Sequence, residues 1–378
     1  MSIVYAIDAS SANKQTRTGV EWYAYHLIEH MKRHALLADE RVVLYSPTPL
    51  TGALAELPTG WESRVIAWPF PGWMRLRMSW ELWRKKPSVF FVPAQGLPAF
   101  SRGRILTTIH DVGWRHRPDL YDSASRRRLD YAMRQALTKA TKLFVVSEFT
   151  KREVLELYKV AEDRLVVTPL AHNATIFHPL TPEEVEPVLN RYRLGRHYFL
   201  HVGRWERKKN VATLIRAFEL FKATRGVGDP YELVLVGRSG GCGSEETERA
   251  LRDSPARESI RTLPYLVGEE IAALMNAATA FVFPSLYEGF GIPNLEALAC
   301  GAPLLTSHIP PHHEVAGDAA RYVPPEEPEA WAQAMRELAL NPTRRVEWQD
   351  HGIAQARRFS WEKTATQTWE TMRRVWKM

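Results

Sequence analysis

The sequence predicts two doubly wound α/β domains in tandem. Three observations point there. Short, continuous apolar runs rich in β-branched residues recur along the chain, helical patterns fall between most of them, and the alternation restarts after a proline- and acid-rich stretch at 178–188. Continuous apolar strands alternating with helices indicate a parallel sheet covered on both faces. A length of 378 residues is too great for one ordinary core and agrees with two domains.

In the first half the strand-like runs are IVYAI (3–7), RVVLY (41–45), SVFFV (88–92), RILTTI (104–109), KLFVV (142–146) and RLVVT (164–168). Helical patterns occupy 19–34, 123–139 and 149–159. HPLTPEEVEPV (178–188) is the expected linker, which sets a first domain at 1–180 and a second at 181–358. In the second half the runs are YFLHV (198–202), ELVLV (232–236), IRTL (260–263), AFVFP (280–284) and PLLTS (303–307). The tail 359–378 is an amphipathic helix expected to pack back on the first domain. Two such domains are expected to face each other across a cleft at the carboxyl ends of their strands, where these folds bind ligands.

Composition narrows the classes. The chain is 45% hydrophobic and 25% charged, without low-complexity tracts or solenoid repeats. Cys242 and Cys300 offer neither a disulfide framework nor metal spacing. The chain enters a strand at once, and no apolar run reaches 18 residues, so a cytoplasmic protein is expected. A net charge of +7 suggests anionic partners. Nucleic acid is disfavoured, because no stacking motif or recognition helix is present.

The stretch SLYEGFGIPNLEALACGAP (285–303) holds the densest signal. AFVFP supplies a strand, Tyr287 to Gly291 a turn, and Pro293 a helix start. The amides of Phe290, Gly291 and Ile292 would then point from a helix N-terminus, a place that favours phosphate, with Gly289 and Gly291 allowing close approach. Glu296, expected in the first helical turn, would accept ribose hydroxyls. Glu288, in the loop, could accept those of a second sugar. The alternative is a tight turn with a capping glutamate.

Four other segments stand out. In HVGRWERKKN (201–210), Arg204 and Lys209 could both reach a diphosphate from a solvated cleft and balance its charge as it leaves. The alternative is a solvated basic loop. In TTIHDVGW (107–114), His110 at a strand end could orient a sugar or donate to it, or make a structural bond with its neighbouring aspartate. In TRTGVEWYAYHLI (16–28), Gly19 opens a helix, as many caps do. On a helix over PGWMRLRMSWELWRKK (71–86), Trp73, Leu76, Trp80 and Trp83 share one face. Such a helix either lies in a membrane interface or packs its tryptophans on the sheet, and the pattern alone favours packing. No GxGxxG occurs, which counts against a dinucleotide cofactor.

Taken together, GRWERKKNVATLIRAF, SLYEGFGIPNLEALACGAPLLTS and HEVAGDAARYVPPEEPEAWAQAM resemble the retaining nucleotide-sugar glycosyltransferases of family 4, with the GT-B fold of two Rossmann-like domains. IDAS, TGVEWYAYHL, TIHDVGWRHRPDLY and VVSEFTKREV look like that family's first domain, so the resemblance spans nearly the whole chain. It implies that Glu288 contacts the donor sugar and Glu296 the ribose. It implies that Arg204, Lys209 and the amides of Phe290, Gly291 and Ile292 hold the diphosphate. Gly19 would lie in the loop over the phosphates, and His110 beside the transferred sugar. Tyr265 and Leu266 match the segment whose backbone touches the base. Pro264 departs from the family's frequent glycine there and removes one amide donor.

The resemblance further implies transfer with retention, in which the leaving phosphate helps take the acceptor's proton. It implies no cofactor and, with no Asp-x-Asp motif in a suitable loop, no metal. KKN with YEGFGIPNLEALACG looks most like bacterial surface-polysaccharide mannosyltransferases. GDP-mannose is the first expected donor and a UDP-sugar the second. The acceptor is expected to be a saccharide or a lipid-linked saccharide, and Arg64, Arg75, Arg77, Arg84, Lys85 and Lys86, with the run Arg126, Arg127 and Arg128, are expected to give weak affinity for anionic lipid at the inner face of the cell membrane. Other classes are a hydrolysing nucleotide-sugar epimerase, whose motif pattern differs, and a catalytically silent nucleotide-binding subunit.

Overall fold

The computed structural model describes residues 3–94, 96–101, 103–226 and 228–378. The chain forms two compact units. The first takes the residues up to Val112, then Ser123–Ala171 and Ser360–Met378, and the second takes Gly113–Asp122 and His172–Phe359.

In the first unit the strands are β1 (Ile3–Asp8), β2 (Glu40–Ser46), β3 (Trp61–Val65), β4 (Val89–Val92), β5 (Arg104–Ile109), β6 (Ala140–Val145) and β7 (Leu165–Val167). They pair in the order β3-β2-β1-β4-β5-β6-β7, all in parallel. In the second unit β8 (Tyr198–Val202), β9 (Glu232–Val236), β10 (Ile260–Leu263), β11 (Ala280–Phe283), β12 (Leu304–Ser307) and β13 (Arg321–Val323) pair as β10-β9-β8-β11-β12-β13, also in parallel. Both units are doubly wound Rossmann-like folds. Each strand order reverses once, at β1/β4 and at β8/β11. Such a reversal opens a crevice at the strand carboxyl ends, the usual ligand site of these sheets.

Burial explains the apolar runs. Phe90, Phe91 and Phe144 are fully covered in the first sheet, as are Phe199, Leu233 and Val282 in the second. The helix Val211–Ala223 buries Leu214, Phe218 and Phe221 against that second sheet.

The C-terminal helix, Trp361–Lys377, belongs to the first unit. Trp369 meets Tyr5 edge-on at 5.1 Å, and its Nε1 donates to the Met31 carbonyl at 3.0 Å. Arg373 grips the buried Glu40 carboxylate through Nε at 2.9 Å and Nη2 at 2.6 Å. Burial alone would raise the Glu40 pKa, but Arg373 and the Leu37 amide hold it below the usual carboxylate range.

Three expectations are corrected. The segment 178–188 is not a loose linker: it contains most of a helix, Pro182–Tyr192, closed by a Thr181/Glu184 capping box. The chain passes between units at Ala171/His172 rather than at 180, because the stretch after 171 is tied to the second unit. There Asn276 accepts from the Leu180 amide at 2.9 Å and donates to the His178 carbonyl at 3.1 Å. Third, the helix Met78–Lys85 buries Met78, Ser79, Glu81 and Leu82, not its tryptophans. Trp80 and Trp83 stay 52% and 41% exposed. Among the described residues, no helix is long and apolar enough to cross a membrane.

Arg373→Ala should strand a buried carboxylate. Losing one partner of a fully buried pair costs about 3–5 kcal/mol. Arg373 keeps 30% side-chain exposure, so roughly 2 kcal/mol is expected here. Denaturant unfolding of the variant measures it, and an unchanged midpoint would show that the pair does not anchor the helix.

Candidate active site

The site in the second unit grows from its β8/β11 reversal. After β11, the chain runs through Pro284 and a loop to the helix Ile292–Ala299. Gly291 caps that helix at φ +101°, a left-handed conformation that side chains resist, and an added Cβ would lie 3.2 Å from His312. Phe290 is buried and meets Phe359 edge-on, which pins the loop. Among the described residues, no backbone carbonyl outside the helix accepts from the amides of Phe290, Gly291 or Ile292. They are donors at a helix N-terminus, suited to an anion.

After β8, the chain makes a single turn, Arg207–Lys209, before the helix Val211–Ala223. Asn210 sits at φ +56° and its amide donates to the carbonyls of Pro284 at 3.1 Å and Pro325 at 2.6 Å. The Leu286 amide donates to the Lys208 carbonyl at 2.9 Å. These bonds stitch the two loops together. Lys209 Nζ is thereby held 2.6 Å from Glu288 Oε1, and 5.0 Å above the Phe283 ring. Gly237 permits the neighbouring turn to close: a Cβ there would lie 2.1 Å from the Gly203 carbonyl oxygen.

The two glutamates differ sharply. Burial alone would raise the Glu288 pKa, but the charges of Lys209 and Lys208 outweigh it and hold the carboxyl at about 2. Burial raises Glu296 to about 8, and among the described residues no ion pair or side-chain hydrogen bond compensates it. Glu296 is the fifth of eight helical residues, so it stands in the second turn, not the first as expected. Its support from the helix dipole is correspondingly small.

The remaining candidates are distributed as follows. Arg204 follows β8 and is exposed, whereas Lys209 is partly buried in its ion pair, so the two do not share the solvated setting expected of them. Tyr265 is 59% exposed and Leu266 only 3%, on the loop after β10. In the first unit, His110 follows β5. Its Nε2 donates to the Pro93 carbonyl at 3.0 Å, leaving Nδ1 as an acceptor. Burial lowers its pKa, so the ring is neutral at pH 7. Gly19 opens the helix Gly19–Met31 behind a Thr18/Glu21 capping box, and a Cβ there would meet open space. The motif at 107–114 is divided: His110 lies in the first unit, while Gly113 and Trp114 lie in the second.

The sequence pattern gave no notice of His201 and His312, both fully buried at this site. Each offers Nδ1 to a backbone carbonyl, Val282 at 3.0 Å and Ser307 at 3.2 Å, and burial drives each pKa down to about 4. A carbonyl only accepts, so Nδ1 carries the proton in His201, whereas in His312 the nearer partner of Nδ1 is the Thr306 hydroxyl at 2.8 Å, which can donate or accept. Their charge-neutral rings border the Phe283 ring below the ion pair. Asn210 was also missed. Its signal was available as an asparagine directly before a helix.

With this geometry in place, comparison with known proteins is informative. Residues 189–355 match the family model described as glycosyl transferases group 1, and residues 17–175 match glycosyltransferase family 4. The chain is 33% identical over 294 residues to the O-antigen chain mannosyltransferase B of Escherichia coli, covering 77% of this chain and 76% of that protein. Among solved structures, a sucrose-phosphate synthase from Thermosynechococcus elongatus aligns over 99% of both chains with a TM-score of 0.75 at 19% identity. Anabaena HepE, in complex with UDP and glucose, aligns over 99% of this chain and 100% of that one with a TM-score of 0.75 at 14% identity. These two likenesses establish the GT-B fold.

Glu296 and Glu288 give stability opposite pH dependences. The native pKa of Glu296, about 8, lies above its reference value of 4.5. Its contribution is full below 4.5 and is lost as pH rises to 8. Glu288, at about 2, contributes above 4.5 and loses that contribution as pH falls toward 2. Glu296→Gln should therefore gain Tm relative to the parent as pH rises from 4.5 to 8, at up to about 1.4 kcal/mol per pH unit. A difference in Tm that does not change with pH would contradict the assignment.

Proposed function

The chain belongs to the group 1 and family 4 glycosyltransferases, and from that premise we propose that it moves a hexose, first mannose from GDP-mannose, with retention. The observation that carries this reading is the Lys209–Glu288 pair, held at 2.6 Å beside the N-terminus of the helix Ile292–Ala299. One small area then offers a cation, a carboxylate and a row of amide donors. A sugar joined to a diphosphate needs all three.

In this mechanism the diphosphate takes the amides of Phe290, Gly291 and Ile292. Lys209 and Arg204 balance its charge as the sugar departs. Glu288, released from Lys209, accepts from hydroxyls of the donor sugar. Glu296 serves the ribose, and the backbone at Tyr265 and Leu266 the base. Gly19 belongs to the loop over the phosphates. His110 accepts through Nδ1 from the transferred sugar. The acceptor hydroxyl attacks the face that the diphosphate leaves, and the departing phosphate takes its proton. No metal and no cofactor is assigned a step. The proposed acceptor is a saccharide or lipid-linked saccharide of a surface polysaccharide, and the proposed place of work is the cytoplasmic side of the membrane.

The choice of donor is tested by a thermal-shift screen of GDP-, UDP- and ADP-sugars. A ligand at 100 times its Kd stabilises by about 2.7 kcal/mol. GDP-mannose should give the largest shift. A larger shift with a UDP-sugar replaces the donor, and no shift with any of them removes the donor-site reading.

Arg204→Ala and Lys209→Ala should each lower turnover by about 10²–10³. Arg204→Ala should leave Tm unchanged, because that side chain is exposed. Lys209→Ala should lower it, because Glu288 loses its partner. Adding Glu288→Gln to Lys209→Ala should restore Tm but not turnover. Near-normal turnover in either single variant would refute the diphosphate role.

A further inference from the structure

We propose that the first unit docks on anionic lipid bilayers through the outer face of residues 70–86. The donor assignment plays no part in this inference. A wide turn, Trp73–Arg77, leads into the helix Met78–Lys85, and the two present a stripe at helical spacing to solvent: Leu76 at 55% exposure, Trp80 at 52% and Trp83 at 41%. Trp80 and Trp83 stack at 5.5 Å. Phe70, just before the turn, is 65% exposed. Single exposed apolar residues need no explanation, but a row of large ones on one element marks an interaction surface.

Charge identifies the occupant. Arg75, Arg84, Lys85 and Lys86 are all exposed around this stripe. Among the described residues no acid pairs with Arg84, Lys85 or Lys86. Glu81 is the one acid within 70–86, and it faces inward, buried, within 3.4 Å of Arg77. Within 70–86 the exposed charges are therefore all cationic, and they stand beside tryptophans. Tryptophan settles at the headgroup level of a bilayer, and lysine and arginine beside it meet anionic headgroups. The opposite side of the helix, through Met78 and Leu82, anchors it to the unit. The stripe thus lies along a fixed helix, which suits docking in the plane of the surface rather than crossing it. An acceptor carried on lipid would then be concentrated where the enzyme sits.

The test uses the full chain in co-sedimentation with phosphatidylglycerol-rich and with pure phosphatidylcholine vesicles, at low and high salt. Binding is expected to the anionic vesicles only, and to fall as salt rises. Trp80→Ala with Trp83→Ala should lower the partition coefficient roughly tenfold. Charge removal at Arg84, Lys85 and Lys86 should lower it about fivefold per residue. Both variants alter exposed side chains, so Tm and nucleotide affinity should hold. These last two readouts separate failure here from failure of the donor reading. No sedimentation with anionic vesicles at low salt overturns the proposal, as does sedimentation that both variants leave intact. So does a dimer of the parent that the tryptophan variant abolishes without any vesicle binding, which would make this face a contact between copies of the chain.

Discussion

The second unit turns on one contact, the ion pair of Lys209 with Glu288. A carboxylate this enclosed would be pushed toward neutrality by burial, yet two lysines hold it charged with a pKa of about 2. The lysines stay there because Asn210 fastens their turn to the end of β11. Gly291 lets the loop carrying Glu288 turn directly into a helix N-terminus. Removing Lys209 leaves a buried charge without its partner, which is costly. The same pair keeps a cation and a carboxylate side by side at the strand ends, which is what the proposed sugar and diphosphate roles require.

Both units apply the same device. Each sheet is parallel and reverses its order once, and in each most candidate side chains follow strands at or beside the reversal, Tyr265 and Leu266 after the edge strand β10 being the exception. In the second unit these are the loops after β8 and β11. In the first, Asp8 ends β1, the Pro93 carbonyl follows β4, and His110 follows β5. Burial raises Asp8 to about 6 even though it accepts from the Ser10 amide at 2.9 Å. Buried titratable groups therefore gather at the strand ends of both sheets, where a doubly wound fold has room for a ligand.

Most strands were legible because a strand buried on both faces is apolar throughout. The exceptions are edges. β3 reads WESRV and exposes most of its side chains, and β13 has only three residues. The loop from Glu288 to Gly291 and its following helix could be read from glycine and proline positions alone. The partnership of Lys209 with Glu288 could not, because it depends on a long-range tie through Asn210. The tryptophan helix misled for a physical reason. Apolar spacing identifies a face, but not whether that face meets the sheet or solvent, and here Met78 and Leu82 took the inner side. The acidic, proline-rich segment at 178–188 resembled a linker by composition. Pro182 at the start of a helix and the Thr181/Glu184 box account for that composition differently.

Calorimetric titration of GDP into Glu288→Gln tests the central claim most directly. If Lys209 must leave Glu288 to take the diphosphate, the neutral variant should bind free GDP at least as tightly as the parent does. The freed ammonium no longer has a carboxylate to part from. A Kd raised tenfold or more, which is about 1.4 kcal/mol, would contradict the account: Glu288 would then support the nucleotide itself, and the pair would not be the gate to the diphosphate site.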